Sequence, residues 1–185
     1  MTKKLWEASL SQKKKSILFS FEQFFSKKIK KNFKGNFEKI LEWSIKNSSE
    51  FWSLFWDFTK IKGIKGTKKI KKSKIFYKNL FLPKSKLNFA KNLLSKNNNE
   101  KAITFISENG YREERTWLKL NENTNKIVQF FKSIKIKQKD RIAAYTPNTI
   151  ETVEAFIATS TIGAIWSSCS PDFGIKGVVE RFSQI

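Results

Sequence analysis

Histidine is absent from this chain of 185 residues, and Cys169 is its only cysteine. With no imidazole available as a general base, Cys169 reads as a small core or loop residue rather than a nucleophile. A single cysteine also excludes an internal disulfide, and a reducing compartment follows as the default. Arginine is scarce too: Arg112, Arg115, Arg141 and Arg181 stand among 37 basic residues, few forks for the bidentate reading of bases. No run reaches the ~18 to 20 apolar residues that cross a bilayer. Lys3 and Lys4 precede an apolar stretch at 17–25, but Glu22 and Gln23 interrupt it and no small-residue cleavage site follows. It therefore does not read as a signal peptide. An amphipathic anchor lying on a membrane is the alternative there, and a cytoplasmic protein is the expectation.

Acidic residues are outnumbered 37 to 16, for a formal net charge of +21. Such a surplus draws a chain toward nucleic acid or anionic membrane. Lysine and asparagine are spread throughout instead of gathered in one patch, which favours a lysine-loaded surface over specific nucleic-acid recognition. Hydrophobic residues at 39% and aromatics at 15% are enough for a packed core. The length allows one domain, or a small domain with a lobe attached. The 18 phenylalanines are a heavy apolar load, part of which needs covering by a partner surface or further sequence.

Along the chain, Leu18, Phe21, Phe25 and Ile29 fall at helical spacing and predict a peripheral amphipathic helix. Residues 37–58 predict a helical hairpin, with Ser48 or Ser49 as cap and Phe51, Trp52, Phe55 and Trp56 as an aromatic stripe packed on the main domain. Such a stripe could stack bases, but rings at helical spacing are far more often core. Residues 61–74 read as a basic, solvated linker. Gly63, Gly66 and Thr67 only faintly resemble a phosphate loop, because the spacing and the preceding strand are missing. Pro83 then breaks the chain, and a helical turn from Asn88 is expected to bury Phe89, Leu93 and Leu94.

After the polar run 96–100 the pattern changes. Residues 102–106 predict a strand, Asn109 and Gly110 a hairpin turn, and 111–116 the returning strand. Thr116 caps a predicted helix to Ile134 that turns Trp117, Leu120, Ile127, Val128 and Phe131 inward. Residues 140–146 read as a strand buried on both faces over 142–145. Asn148 and Glu151 suggest a capping box for a helix carrying Ile150, Val153 and Ile157, with Gly163 as C-cap. Residues 164–169 read as a buried strand that delivers the loop 170–174. Asp172 or a neighbour would cap a last helix with Val178, Val179 and Phe182 inward. Hairpin, helix, strand, helix, strand, helix is the order that winds a parallel sheet with right-handed crossovers.

The string WSSCSPDFG at 166–174, followed by GVVERFSQI, resembles the acetoacetyl-CoA synthetases (acetoacetate–CoA ligases). These belong to the acyl-adenylate-forming superfamily, with acetyl-CoA synthetase and firefly luciferase. Further matches keep the same order: Trp6; Trp43, Ser44 and Ile45; Phe51 and Trp52; Trp56, Asp57 and Phe58. LNFAKNLL at 87–94 follows, with Lys91 where the family usually has Glu, then Thr116 and Trp117, Asp140 and Arg141, and 145–153.

The resemblance implies an α/β fold: a helical N-terminal segment over 1–95, then over 96–185 the incomplete start of the AMP-binding large domain, with parallel βαβ units after a hairpin. It implies a two-step acid–thiol ligase. ATP and acetoacetate would give an acyl-adenylate and pyrophosphate, and CoA would displace AMP, with ATP, CoA and Mg2+ as cofactors. The family's phosphate loop, its adenine and ribose contacts and its catalytic lysine come after the stretch matched here. The chain is therefore expected to hold no catalytic or metal-binding residue, to bind no cofactor strongly and to be inactive alone, with the remainder of the ligase as partner. In acetyl-CoA synthetase relatives, the loop matching Ser170, Pro171, Asp172 and Phe173 lies against the nucleotide end of CoA. The same residues, with Pro171 and Asp172 in place of the relatives' glycines, also read as loop closure and a helix cap. Two other classes are open: a basic module binding nucleic acid or anionic membrane, and a structural partner complementing a separately encoded ligase remainder.

Overall fold

The computed structural model describes residues 5–66 and 70–185, so Lys3, Lys4 and Thr67, considered above, lie outside the described residues. The chain divides into two compact units, Met1–Lys86 and Leu87–Ile185.

The first unit begins with α1 (Leu10–Lys15), which the sequence did not announce. Ser9 and Gln12 form a reciprocal capping box there, with bonds of 3.2 and 2.8 Å. Ser16 then caps α2 (Ile17–Ile29) by accepting from the Phe19 amide. Phe21 and Phe25 on α2 form the core with Phe33 and with Ile40 of α3 (Phe37–Lys46). Phe51, Leu54 and Phe58 of α4 (Ser48–Phe58) pack on this cluster. Phe25 meets Trp43 edge-on at 4.7 Å and Phe21 meets Phe58 at 5.1 Å, geometries that suit ring quadrupoles. Of the predicted aromatic stripe, Phe51 packs on this cluster, whereas Trp52 and Phe55 are exposed and no residue of α4 is buried, contrary to the core reading. Ser48 opens α4 instead of capping it; Asn47 is the cap residue and makes no side-chain cap bond.

The presumed linker carries β1 (Gly63–Ile64) and β2 (Ile70–Lys71), and β2 pairs antiparallel with β3 (Leu80–Phe81). Gly66 donates its amide to Ser85 Oγ at 2.8 Å, and a Cβ there would fall 2.0 Å from the Pro83 carbonyl oxygen. Its glycine serves close backbone approach. β4 (Lys86–Leu87) follows.

In the second unit, α5 (Phe89–Leu93) is capped by Asn88, but only Ala90 is buried. Phe89 and Leu93 are exposed and Leu94 is half-buried, contrary to expectation. β5 (Lys101–Ile106) and β6 (Arg112–Thr116) form the expected antiparallel hairpin. Its turn closes through Gly110 N–H to the Ser107 carbonyl and Ser107 N–H to the Tyr111 carbonyl. Gly110 takes φ 83° while Asn109 does not enter the left-handed region, so this is a three-residue loop ending in a glycine bulge. α6 (Trp117–Ser133) is capped by Thr116 and buries Leu120, Thr124, Val128 and Phe131.

β7 (Arg141–Tyr145) and β8 (Ile165–Cys169) run parallel from Arg141↔Ile165 to Tyr145↔Cys169, joined by α7 (Ile150–Ile162) in a βαβ unit. Leu120 and Ile157 pack together with Ala90, and Val128 and Phe131 with Ala158, so α6 and α7 share the core. The fold is α/β, as read. β7, however, alternates exposed and half-buried residues, so one face of this sheet is open. α7 ends at Gly163 in the left-handed conformation, as expected, but begins one residue later than foreseen. Its N-cap is Thr149, not Asn148, and no side-chain cap bond is made. On α8 (Ile175–Phe182) none of the residues is buried; of the three expected to face inward, Val179 is exposed and Val178 and Phe182 are half-buried.

Candidate functional site

Parallel strands in an open sheet deliver their following loops to one edge, where ligands bind. Here that edge holds the carboxyl ends of β7 and β8 and the loop 170–174. All four sequence-chosen residues, Ser170, Pro171, Asp172 and Phe173, lie on this loop. Thr146 N–H donates to the Cys169 carbonyl at 3.1 Å and extends the ladder to its mouth. The Tyr145 hydroxyl lies 2.6 Å from the Pro171 carbonyl oxygen and 3.0 Å from that of Phe173. One strand-end phenol thereby pins the loop closed.

Inside the loop, Ser170 Oγ donates to Asp172 Oδ2 at 2.6 Å and Phe173 N–H donates to the Ser170 carbonyl at 3.1 Å. Asp172 therefore does not cap α8. Its carboxylate is held by Ser170, the N-cap is Gly174, and the first-turn amides receive no side-chain acceptor. The Arg181 guanidinium stacks 4.3 Å from the Phe173 ring centroid, a cation–π contact. Gly177 lies under the same ring, where a Cβ would approach Phe173 Cδ1 to 3.1 Å.

Tyr145 and Arg181 are the contributors that sequence reasoning left out. Tyr145 was visible as a strand residue and as the start of the resembling stretch 145–153, with no loop-holding role, and Arg181 stands eight positions beyond the ring it covers. Together the loop presents the Phe173 ring with a guanidinium stacked on it, beside first-turn helix amides that have no side-chain acceptor. Asp172 adds the opposing charge, tempered by Ser170. Among the described residues no group of three or more Cys, Asp or Glu is placed to hold a metal ion, and no helix is long and apolar enough to cross a membrane.

The family model described as AMP-binding enzyme matches residues 91–184. The chain belongs to this family of AMP-binding enzymes. Within it, the chain is 33% identical over 181 residues to the acetoacetyl-coenzyme A synthetase of Rhizobium meliloti (strain 1021), covering 98% of this chain and 28% of that protein. It is 37% identical over 160 residues to the acetoacetyl-CoA synthetase of Xenopus tropicalis, covering 82% of this chain and 23% of the other. The solved acetoacetyl-CoA synthetase from Streptomyces lividans shares the fold over 100% of this chain and 29% of its own, with TM-score 0.91 and 21% identity. The chain thus spans about a quarter of the length of the curated relatives it matches.

Proposed function

We infer that this chain supplies the N-terminal portion of an acetoacetate–CoA ligase. The observation that carries the inference is the 33% identity to an acetoacetyl-coenzyme A synthetase over 98% of the chain. In such a ligase an acetoacetate oxygen attacks the α-phosphorus of ATP and expels pyrophosphate. The CoA thiol then attacks the acyl carbon and AMP leaves. Mg2+ would accompany the triphosphate and offset its charge.

The contribution of this chain is a scaffold and one recognition loop. We take residues 1–95 as the helical segment and 96–185 as the start of the AMP-binding domain; the hairpin and the βαβ unit both fall in the second part, while α5, which precedes the division, packs with that part. Ser170, Pro171, Asp172 and Phe173 would lie against the nucleotide end of CoA, with Phe173 backed by Arg181. This contact is supported by the loop's location at the carboxyl ends of β7 and β8. The compartment in which this reading puts the chain is the cytoplasm, and the remainder of the ligase is its partner.

Adenylation needs phosphate-neutralising groups beyond those of this loop, so the chain alone is expected to be silent. Pyrophosphate release is the measurement, with acetoacetate, ATP and Mg2+. No acetoacetate-dependent release from the purified chain, and release on co-expression with the residues of a relative that follow the matched stretch, is the expected pair of results. Release from the chain alone would contradict the silent-fragment part. Failure of the co-expressed pair on acetoacetate, with turnover of another acid, would reassign the substrate.

A further inference from the structure

Between Asp57 and Glu100 the sequence holds thirteen lysines and no acidic residue. From this stretch projects the β2–β3 hairpin, whose tip carries Ile75, Phe76 and Tyr77. Phe76 is 89% exposed and Tyr77 80%, and Ile75, Leu80 and Phe81 are exposed beside them. Lys71, Lys72, Lys74 and Lys78 are also exposed and flank the rings on both sides.

The tip is built, not loose. Ser73 N–H donates to Asn79 Oδ1 at 2.8 Å, closing the neck of the loop. Ile75 N–H donates to Ser73 Oγ at 3.1 Å. Lys78 N–H donates to the Ile75 carbonyl at 3.0 Å and Asn79 N–H to that of Phe76 at 3.1 Å, which makes Phe76–Lys78 a 3-10 turn. Four backbone donors are therefore satisfied within the loop while its large side chains point away from the core. With these four amides paired, the turn costs less to bring into the headgroup layer than an open loop would.

We propose that this hairpin tip is an anionic-membrane anchor, wedging Phe76 and Tyr77 into the headgroup region while the lysines meet the lipid phosphates and carboxylates. Aromatic rings with one polar end settle at the membrane interface. Lysine stems lie along apolar surface with their ammonium groups in the headgroup layer, and basic residues close to an anionic leaflet add to the attraction. A nucleic acid fits less well. Adjacent rings on a convex turn offer no groove for a strand to follow, and the stretch has no arginine for bidentate phosphate or base contacts.

The test is partition of the whole chain onto vesicles of phosphatidylcholine alone and of phosphatidylcholine mixed with phosphatidylserine, followed by sedimentation. Binding to the mixed vesicles only is expected. The pair Phe76→Ser and Tyr77→Ser, which leaves net charge unchanged, should weaken it about tenfold or more, and Lys74→Glu with Lys78→Glu by a similar factor. Both rings lie outside the core, so an unchanged circular dichroism spectrum is the folding control. Three results would overturn the proposal. One is no binding to mixed vesicles. Another is binding indifferent to the two ring substitutions, which would leave only diffuse charge. The third is binding of a single-stranded oligonucleotide that needs Phe76 and Tyr77 while vesicles are ignored.

Discussion

Arg115, only 15% exposed, meets three carboxylates, and the two on α7, Glu151 and Glu154, tie the β5–β6 hairpin to that helix. Its guanidinium reaches Glu113 at 2.9 Å and Glu151 at 3.2 Å, and Nε lies 2.9 Å from Glu154, an ionic contact without an aligned hydrogen bond. Glu154 is buried and also accepts from Asn123 Nδ2 at 2.9 Å. Removing the cation strands that buried carboxylate, so Arg115→Met is expected to cost about 3 kcal/mol, seen as a lower urea midpoint with an unchanged slope. Glu151 is the exposed member, and its role differs. Its carboxyl is held below the ordinary value of 4.5 by a hydrogen bond to its own backbone amide, then by the Thr149 side chain, with the Arg115 charge adding a smaller part. A carboxyl lowered in the folded state contributes stability that is complete above its unfolded value and is lost as pH falls through the folded one. Glu151→Gln should therefore lower stability by about 0.5 to 1 kcal/mol at neutral pH, with solvent screening keeping the effect small. The gap to the parent protein should close as pH drops below 4.5. Thermal melts of both proteins across the acid range make the check, and a gap that persists at the lowest pH would remove the charge from the explanation.

The α7 C-terminus shows how much one residue decides for an element. Gly163 adopts φ 75°, and a Cβ there would sit 3.0 Å from Gln138 Cγ. Gly163→Ala thus meets both the left-handed penalty and a crowded neighbour, for about 1 to 2 kcal/mol. A fall in Tm with no change in the far-UV spectrum is expected, and a Tm equal to the parent's would mean the chain can end α7 another way. This glycine was legible in the sequence, as were the hairpin, the Thr116 cap and the inward face of α6, because each depends on residues within a few positions of itself. What failed depends on distant chain. The two-faced burial expected of β7 needs a layer on its open side, and the inward face expected of α8 needs a neighbour for Val179. Thr124 was missed for a related reason: a hydroxyl among apolar positions reads as surface, yet it is buried and its Oγ finds no partner among the described residues. At the loop, the four chosen residues are consecutive, so their proximity follows from the chain itself. Tyr145 and Arg181, which hold the loop in place, carry no local signature of that role.

For the molecule as a whole, the deciding quantity is exposed surface. The accessible area is 14310 Å² at a mass of 21.7 kDa. A compact monomer of that mass exposes about 9,200 Å², and two independent compact bodies of half the mass about 11,000 Å² together. The excess therefore stands however the two units are counted. Part of it is apolar: Ile175 is 85% and Val179 61% exposed on α8, and Tyr145 and Ile165 are exposed on the β7–β8 sheet. Surface of this kind is what a complementing polypeptide would cover, and covering it should stabilise the chain by mass action. The purified chain is accordingly expected to bind the dye ANS and to unfold with a shallow denaturant slope for its length. Adding the part of a relative that follows the matched stretch should suppress the dye signal and raise Tm by several degrees in a concentration-dependent way. A chain that is dye-silent and steeply cooperative by itself, and unmoved by the added polypeptide, would mean that its apolar surface is already settled and that the fold needs no second piece.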